Sequence, residues 1–153
     1  IPGLALAIIR GGKLLRVTGF GYANLAQRRP MQADTLINIA SITKTATCTA
    51  VMQLWEQKKF ALDDDVNAYL PFLVRHPIYA HLPVTVRQLL THTSSIADGP
   101  AYGHSYACGD PRIPLGRWLR DYLSPDGALF DPQHNFHGWQ PGAQFRYSNV
   151  AYG

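Results

Sequence analysis

Ser41 and Lys44 are the residues whose types and spacing first indicate chemistry. They lie three residues apart in the segment INIASITKTATCTAVMQLWEQ, which spans residues 37–57. Residues at positions i and i+3 share one helical face, so a hydroxyl and an amine could hydrogen-bond there. Such a pair suits nucleophilic catalysis, and an N–H in the first helical turn would stabilise an oxyanion. The spacing alone is weak evidence, because Ser and Lys are common residues.

A second candidate group is the Tyr-Ser-Asn sequence of residues 147–149, which follows a Pro-Gly turn. The Tyr147 phenol could pass protons to and from a serine, and the Asn149 amide could orient a lysine and a substrate carbonyl. The same Tyr-x-Asn pattern occurs at Tyr22–Asn24, at the end of a predicted strand where asparagine favours a turn. The pattern alone therefore does not separate a catalytic copy from a structural one.

Apolar patterns predict the elements that must position these residues. A Gly-Gly pair at residues 11–12 joins two apolar runs and predicts a β-hairpin, and Thr85 begins a capping box before a short helix. The predicted strands and helices are Leu4–Arg10, Leu14–Tyr22, Ser41–Lys59, a helix capped by Thr85 that ends at Leu90, and Leu115–Leu123. A stripe of small and apolar residues predicts that the Ser41–Lys59 helix is largely buried. The expected fold class is α+β.

Composition limits the classes of function. The chain has 153 residues, 46% hydrophobic and 16% charged, which is a globular composition. Its net charge of +4 comes from dispersed basic residues, so we expect no nucleic-acid partner. The apolar run Leu4–Ile9 is far shorter than the roughly 20 residues that cross a bilayer, so we expect no integral membrane segment. Cys48 and Cys108 indicate no disulfide framework, and we expect Cys48 to be a small core residue.

The alternatives to a site at Ser41 are a metal site, a dinucleotide-binding loop and a nucleophile elbow. A metal site could gather ligands from His104, Cys108, Asp110, His134 and His137. However, the chain has no His-Glu-x-x-His or Cys-x-x-Cys pattern, so we predict neither a metal nor a cofactor. A dinucleotide-binding loop fails because Asn24 stands where a third glycine is needed, and no Gly-x-Ser-x-Gly elbow occurs.

Four ordered segments carry a family resemblance. They are the tetrad of residues 41–44 preceded by INIA, then KKFALDDDVNAYLPFL, VTVRQLLTHTSSI and PGAQFRYSNVAYG. In order and spacing they resemble the serine β-lactamase-related family, which includes class C β-lactamases, D-alanyl-D-alanine carboxypeptidases and family VIII-type esterases. The resemblance covers essentially the whole chain and implies a β-lactamase/transpeptidase-like fold, with an antiparallel sheet flanked by helices.

The resemblance implies a role for each candidate residue. Ser41 would be the acylated nucleophile, Lys44 the partner that activates it, and Tyr147 the proton shuttle for attack and leaving group. Asn149 would hold Lys44 and the acyl side of the substrate, and the Ser41 N–H would supply half of an oxyanion hole. Which of Lys44 and Tyr147 takes the first proton stays open, because coupled groups titrate as a pair.

The implied substrate is a β-lactam, a D-Ala-D-Ala peptide of the peptidoglycan type or a small carboxylic ester, and the family favours a periplasmic or extracellular location. The alternative is a non-catalytic β-lactamase-like binding module or an inactive fragment. His92 is expected to pack or hydrogen-bond rather than catalyse. Trp118 and Trp139 are expected to be core residues rather than walls of a substrate cleft. Ser95 stands where the family more often has glycine.

One family motif has no counterpart in this sequence. The family carries Lys-Thr-Gly or His-x-Gly on a C-terminal strand, so we expect a longer natural protein and a poorly active 153-residue chain. Residues 1–153 would be a partial β-lactamase-like domain, in which residues 1–60 contain the hairpin and the nucleophile helix. Residues 61–153 would form a mostly helical and loop region with the Tyr-x-Asn motif.

Overall fold

The computed structural model describes residues 1–153. The chain forms two compact units, Ile1–Ile42 and Thr43–Gly153, and the boundary falls just before the helix that contains Lys44. No helix combines the length and the apolar character needed to span a membrane.

The first unit is an antiparallel sheet of three strands in the order β1-β2-β3. Strands β1 (Gly3–Arg10) and β2 (Lys13–Asn24) form the predicted hairpin, and β3 (Arg29–Pro30) adds a short third strand that was not among the predicted strands. Gly11 and Gly12 have φ of +56° and +73°, which the tight turn between right-twisted strands requires. The Gly-Gly pair therefore fixes the register of the hairpin.

The central helix, α1, spans Thr43–Glu56, so the predicted bounds of 41 and 59 were wrong at both ends. At its C-terminus Lys58 adopts a left-handed φ of +58°. The N–H groups of Lys58 and Lys59 bond to the carbonyls of Trp55 and Leu54, at 2.8 and 3.1 Å. This pattern is a Schellman motif, which ends a helix by satisfying its last carbonyls.

The predicted burial of α1 was also wrong, because none of its residues is buried. Its half-buried residues are Lys44, Cys48, Val51 and Met52, which share one helical face. The stripe predicted to be buried lies on the other side of the helix and is exposed; its members are Ile42, Ala46, Thr49, Ala50, Gln53 and Leu54. The covered face is the one that carries Lys44.

The second unit has its own hydrophobic core. The core members are Val66, Val74, Val84, Ile96, Leu119, Tyr122, Leu123, Phe136, Val150 and Ala151. Helix α2 (Val86–Leu90), the short helix α3 (Pro100–Gly103) and α4 (Leu115–Leu123) surround it, and the predicted bounds of α4 are confirmed. Val150 and Ala151 belong to a 3-10 turn, Val150–Tyr152, so the core anchors the segment that directly follows Asn149.

The predicted capping box of α2 is confirmed. Thr85 Oγ1 accepts a hydrogen bond from the Gln88 N–H at 3.3 Å, and Gln88 Oε1 accepts one from the Thr85 N–H at 3.0 Å. The two residues thereby satisfy two N–H groups that the helix itself leaves without partners.

We expect Thr85→Ala to lower the free energy of unfolding by about 1 kcal/mol, because the helix loses its cap and the Gln88 N–H loses an acceptor. Denaturant unfolding monitored by circular dichroism measures the change. Thr47→Ala, at an exposed position of α1, is the matched control and should leave stability unchanged or slightly raised. Equal stability of the Thr85→Ala variant and the unmodified protein would contradict the assigned cap.

Candidate active site

The structure brings Lys44 to the distant Tyr-Ser-Asn segment. Lys44 Nζ donates a hydrogen bond to Asn149 Oδ1 at 2.8 Å, although the two residues are 105 positions apart. Nζ also lies 5.0 Å from the ring centroid of Tyr147 and 5.7 Å from that of Tyr152. An amide oxygen and two aromatic faces are all groups that attract a positive charge. Three of the four predicted site residues therefore meet in the second compact unit.

Tyr147 combines exposure with a polar contact to the same amide. Its hydroxyl donates to Asn149 Oδ1 at 3.4 Å, and 43% of the residue surface is exposed. A phenol that is accessible and lies beside a lysine is suitably placed to exchange protons with a bound molecule. In the other Tyr-x-Asn copy, Asn24 Oδ1 accepts the N–H of Gln27 at 2.9 Å in the turn after β2. The predicted structural role of that copy is confirmed.

Ser41 belongs to the first compact unit, in a 3-10 turn over Ala40–Ile42 that directly precedes α1 along the chain. The sequence placed it in the first turn of the α-helix, and that placement was wrong. Ala40 has a left-handed φ of +45°, and its N–H donates to Asn38 Oδ1 at 2.7 Å, so the backbone enters the helix through an irregular turn. The role of Ser41 as nucleophile stays a prediction.

The segment that carries Asn149 is held by the carboxylate of Asp98. Asp98 Oδ1 accepts hydrogen bonds from Ser148 Oγ at 2.8 Å, the Asn149 N–H at 2.8 Å and the Val150 N–H at 3.0 Å. Asp98 Oδ2 accepts from the Asn149 N–H at 2.9 Å and from Asn149 Nδ2 at 2.8 Å. Ser148 Oγ in turn accepts the N–H of Ala151 at 3.1 Å. One side chain thus satisfies the backbone donors at the start of the 3-10 turn.

These contacts also keep Asp98 ionised. Burial acts to raise the pKa of its carboxyl group, but hydrogen bonds from the N–H groups of Asn149 and Val150 and from the side chains of Ser148 and Asn149 outweigh it. The net pKa lies below the ordinary value. The sequence analysis did not identify Asp98 as a site residue. Its neighbours, Ala-Asp-Gly-Pro at residues 97–100, give no sign of hydrogen-bond partners that lie about fifty positions later in the chain.

Tyr122, on α4, fixes the backbone on both sides of Asp98. The Tyr122 hydroxyl donates to the carbonyl of Ala97 at 2.9 Å and accepts the N–H of Gly99 at 2.6 Å. The tyrosine is fully buried, which raises its pKa to about 12. A Cβ on Gly99 would lie 2.9 Å from the Tyr122 hydroxyl, so glycine is needed for this close approach. Asp98 is therefore attached directly to the core.

A second set of backbone contacts positions the segment before Tyr147. The N–H of Gly142 donates to the carbonyl of Thr93 at 2.7 Å, and the N–H of Arg146 donates to that of His92 at 2.8 Å. Both His92 and Ser95 have left-handed φ values, +56° and +66°. Ser95 occupies this geometry while its Oγ donates to the carbonyl of Trp139 at 2.6 Å, which ties the same loop to residues 137–139.

His92 has the packing and hydrogen-bonding role that the sequence predicted. Its Nδ1 accepts the N–H of Ser148 at 3.3 Å, and its ring lies 4.5 Å from that of Tyr147 and 5.0 Å from that of Tyr152. Burial lowers the pKa of His92, and Lys44 lowers it further, whereas Asp98 acts in the opposite direction. The neutral imidazole is therefore the favoured form at this position.

An open cavity of about 390 Å³ lies beside Tyr147. Arg146 and His137 are among the side chains that line it, together with Asp98. Burial lowers the pKa of His137, and the neighbouring Arg146 lowers it further. The cavity can accept part of a small molecule next to Tyr147.

The remaining candidates are not gathered into a site. No group of three or more His, Cys, Asp or Glu side chains could hold a metal ion, and His134 instead bonds to Asp131 at 2.7 Å. Both cysteines are free, Cys48 half-buried and Cys108 exposed. Trp118 stacks on Tyr122 with ring centroids 4.9 Å apart, as expected of a residue that packs on the core.

Comparisons with known proteins give a consistent result. A sequence model of the family described as Beta-lactamase matches residues 1–153. Penicillin-binding protein 4* of Bacillus subtilis is 30% identical over 145 residues, which are 93% of this chain and 28% of that protein.

Two solved structures extend the comparison to the fold. The octameric penicillin-binding protein homologue from Pyrococcus abyssi matches with a TM-score of 0.72 and 31% identity, over 99% of this chain and 33% of that one. EstCE1, a hydrolase with promiscuous acyltransferase activity, matches with a TM-score of 0.75 and 28% identity, over 98% and 39%. The chain spans about a third of the length of these relatives. The predicted β-lactamase/transpeptidase-like α+β fold is confirmed, as a part of that fold.

The lowered pKa of His92 generates a prediction for acid stability. The unfolded chain binds a proton on this histidine near its ordinary pKa of 6.5, whereas the folded chain binds it only at lower pH. His92 therefore contributes stability above pH 6.5 that is lost as the pH falls towards the folded-state pKa. We expect His92→Asn, which tolerates the left-handed φ, to reduce the loss of stability between pH 7.5 and pH 5.5.

Denaturant unfolding at the two pH values measures this difference. Any loss of ring packing in the variant lowers its stability equally at both pH values, so it does not contribute to the difference. His81→Asn, at an exposed position, is the control and should keep the original pH dependence. An unchanged pH dependence in His92→Asn would contradict the assigned burial of a neutral imidazole.

Proposed function

The chain belongs to the β-lactamase family, and from that premise we propose that it forms part of a serine hydrolase that cleaves an amide or ester through a covalent acyl-enzyme. The observation that carries the proposal is the 2.8 Å hydrogen bond between Lys44 Nζ and Asn149 Oδ1, beside the Tyr147 ring. This contact joins a lysine that follows Ser41 by three residues in the sequence to an amide and a phenol, and both lysine and tyrosine can act as the general base for a hydroxyl.

In the proposed acylation, Ser41 Oγ attacks the substrate carbonyl carbon and loses its proton to Lys44 or Tyr147. The tetrahedral intermediate then collapses, a C–O or C–N bond breaks, and the leaving group takes up a proton from the same pair. Asn149 keeps Lys44 in place throughout, because its Oδ1 holds the amine. The Ser41 N–H is the proposed donor to the developing oxyanion.

In the proposed deacylation, the same groups act in the reverse direction. A water molecule gives a proton to the Lys44 and Tyr147 pair and attacks the acyl carbon, after which Ser41 Oγ leaves and recovers its proton. Water is the only co-reactant that these steps need, so the proposal includes no cofactor.

The substrate class is a carboxylic ester, a β-lactam or a peptidoglycan-type peptide. The relatives support this range, because they include a penicillin-binding protein and a hydrolase with acyltransferase activity. The cavity beside Tyr147 offers room for a small substituent of such a molecule. All three substrates place a carbonyl before a leaving group, so one set of residues serves them.

We expect Ser41→Ala to abolish covalent labelling of the protein, because Ser41 Oγ is the atom that forms the acyl bond in the proposed mechanism. Lys44→Ala should slow labelling by several orders of magnitude without unfolding the chain, since removal of a positioned base typically costs about 10²- to 10⁴-fold. Intact mass spectrometry after incubation with a penicillin, and separately with an activated short-chain ester, measures both effects.

Ser105→Ala, which removes an exposed hydroxyl outside the site, is the control and should be labelled at the original rate. Near-normal labelling of Ser41→Ala would refute the assignment of the nucleophile. Absence of an adduct from either reagent in the unmodified protein would favour the non-catalytic binding module instead.

A further inference from the structure

The amide of Asn149 lies between two partners of opposite hydrogen-bonding character. On one side Lys44 Nζ donates to Asn149 Oδ1 at 2.8 Å, and on the other Asn149 Nδ2 donates to Asp98 Oδ2 at 2.8 Å. An ionised carboxylate can only accept, so Asp98 permits a single orientation of the amide, with Nδ2 towards Asp98 and Oδ1 towards Lys44.

We propose that Asp98 is a positioning residue of this site, which fixes the Asn149 amide orientation and thereby the position of Lys44. The consequence for turnover rests on the proposed function, whereas the consequence for the amide does not. In this role Asp98 acts on Lys44 through Asn149.

Asp98 holds the main chain of Asn149 as well as its side chain. Its carboxylate accepts the N–H groups of Asn149 and Val150 at 2.8 and 3.0 Å, so the main chain and the side chain of Asn149 are fixed by one group. Tyr122 holds the peptides on both sides of Asp98, and this tyrosine is fully buried. Tyr122 is thus connected to Lys44 through the backbone around Asp98, the Asp98 carboxylate and the Asn149 amide.

The charge of Asp98 maintains the arrangement at neutral pH. The carboxyl pKa lies below its ordinary value because of the donors around it, so the group stays an acceptor. His92, the titratable neighbour that contacts Ser148, has a lowered pKa and is neutral there.

The decisive variant is Asp98→Asn, which keeps size and shape but turns one acceptor oxygen into a donor NH₂. If the remaining oxygen accepts the backbone N–H groups, the new NH₂ faces the side-chain amide of Asn149. That amide then flips, so that its oxygen accepts from the new NH₂. Lys44 then meets an NH₂ group in place of an oxygen. We expect acylation to slow by about 100-fold, because a misplacement of about 1 Å in a reacting group can cost that much.

The swap Asp98→Asn with Asn149→Asp distinguishes orientation from simple packing. In the double variant the carboxylate at position 149 accepts from Lys44 and from the new amide, so donors and acceptors match again. In Asn149→Asp alone, two carboxylates would lie within hydrogen-bonding distance and repel each other. We expect the double variant to be acylated at least tenfold faster than either single variant.

A second readout needs no activity. The side-chain amide of Asn149, assigned by its absence from the Asn149→Ser spectrum, is followed by ¹⁵N-edited NMR in the unmodified protein and in Asp98→Asn. We expect both amide protons to shift in the variant. Asp131→Asn is the matched control, because Asp131 also accepts backbone N–H groups, from Gln133 and His134, but lies outside the Lys44 network.

Slower acylation, a shifted amide and rescue by the swap would together establish the inference. An unshifted Asn149 amide in Asp98→Asn, or a double variant slower than both single variants, would overturn it. If the unmodified protein is not acylated at all, the proposed function fails and the amide signals alone decide the role of Asp98. If Asp98→Asn does not fold, Tyr122→Phe replaces it, and an unshifted Asn149 amide there overturns the inference.

Discussion

The hydrogen bonds to the carboxylate of Asp98 are the interaction on which the arrangement of the site depends. A 3-10 turn leaves its first N–H groups without partners in the turn, and those of Asn149 and Val150 are satisfied from outside by this one side chain. Tyr122 fixes the backbone on both sides of Asp98, so the turn is connected to the core through hydrogen bonds. Without such an anchor, a polar turn beside a cavity would be free to adopt many conformations.

The surroundings of Lys44 follow from that anchor. The amine faces an amide oxygen at 2.8 Å and two aromatic rings at 5.0 and 5.7 Å. These groups belong to residues 147–152, the segment that Asp98 holds through Ser148, Asn149 and Val150. Tyr152 is itself fixed, because its hydroxyl donates to the carbonyl of Leu90 at 2.9 Å. The position of Lys44 is therefore set by groups that are themselves held in place, as the proposed role in catalysis requires.

Sequence patterns predicted what depends on local chemistry. The Gly-Gly hairpin, the Thr85 cap and the bounds of α4 each follow from interactions within a few residues, and the structure has them. Resemblance of ordered motifs identified Lys44 and Asn149 as partners, because their meeting depends on long-range packing that no local pattern shows. The same reason explains why Asp98 was missed and why the covered face of α1 was assigned to the wrong stripe. The entry to α1 was also missed, since a left-handed alanine at position 40 has no signal in sequence.

A crystal structure of the protein after incubation with an activated ester tests the proposed mechanism directly. We expect continuous electron density from Ser41 Oγ to the acyl carbon, with Lys44 Nζ still bonded to Asn149 Oδ1 and the Asn149 NH₂ still on Asp98. Density on another residue, or an acylated Ser41 beside a Lys44 that no longer contacts Asn149, would contradict it.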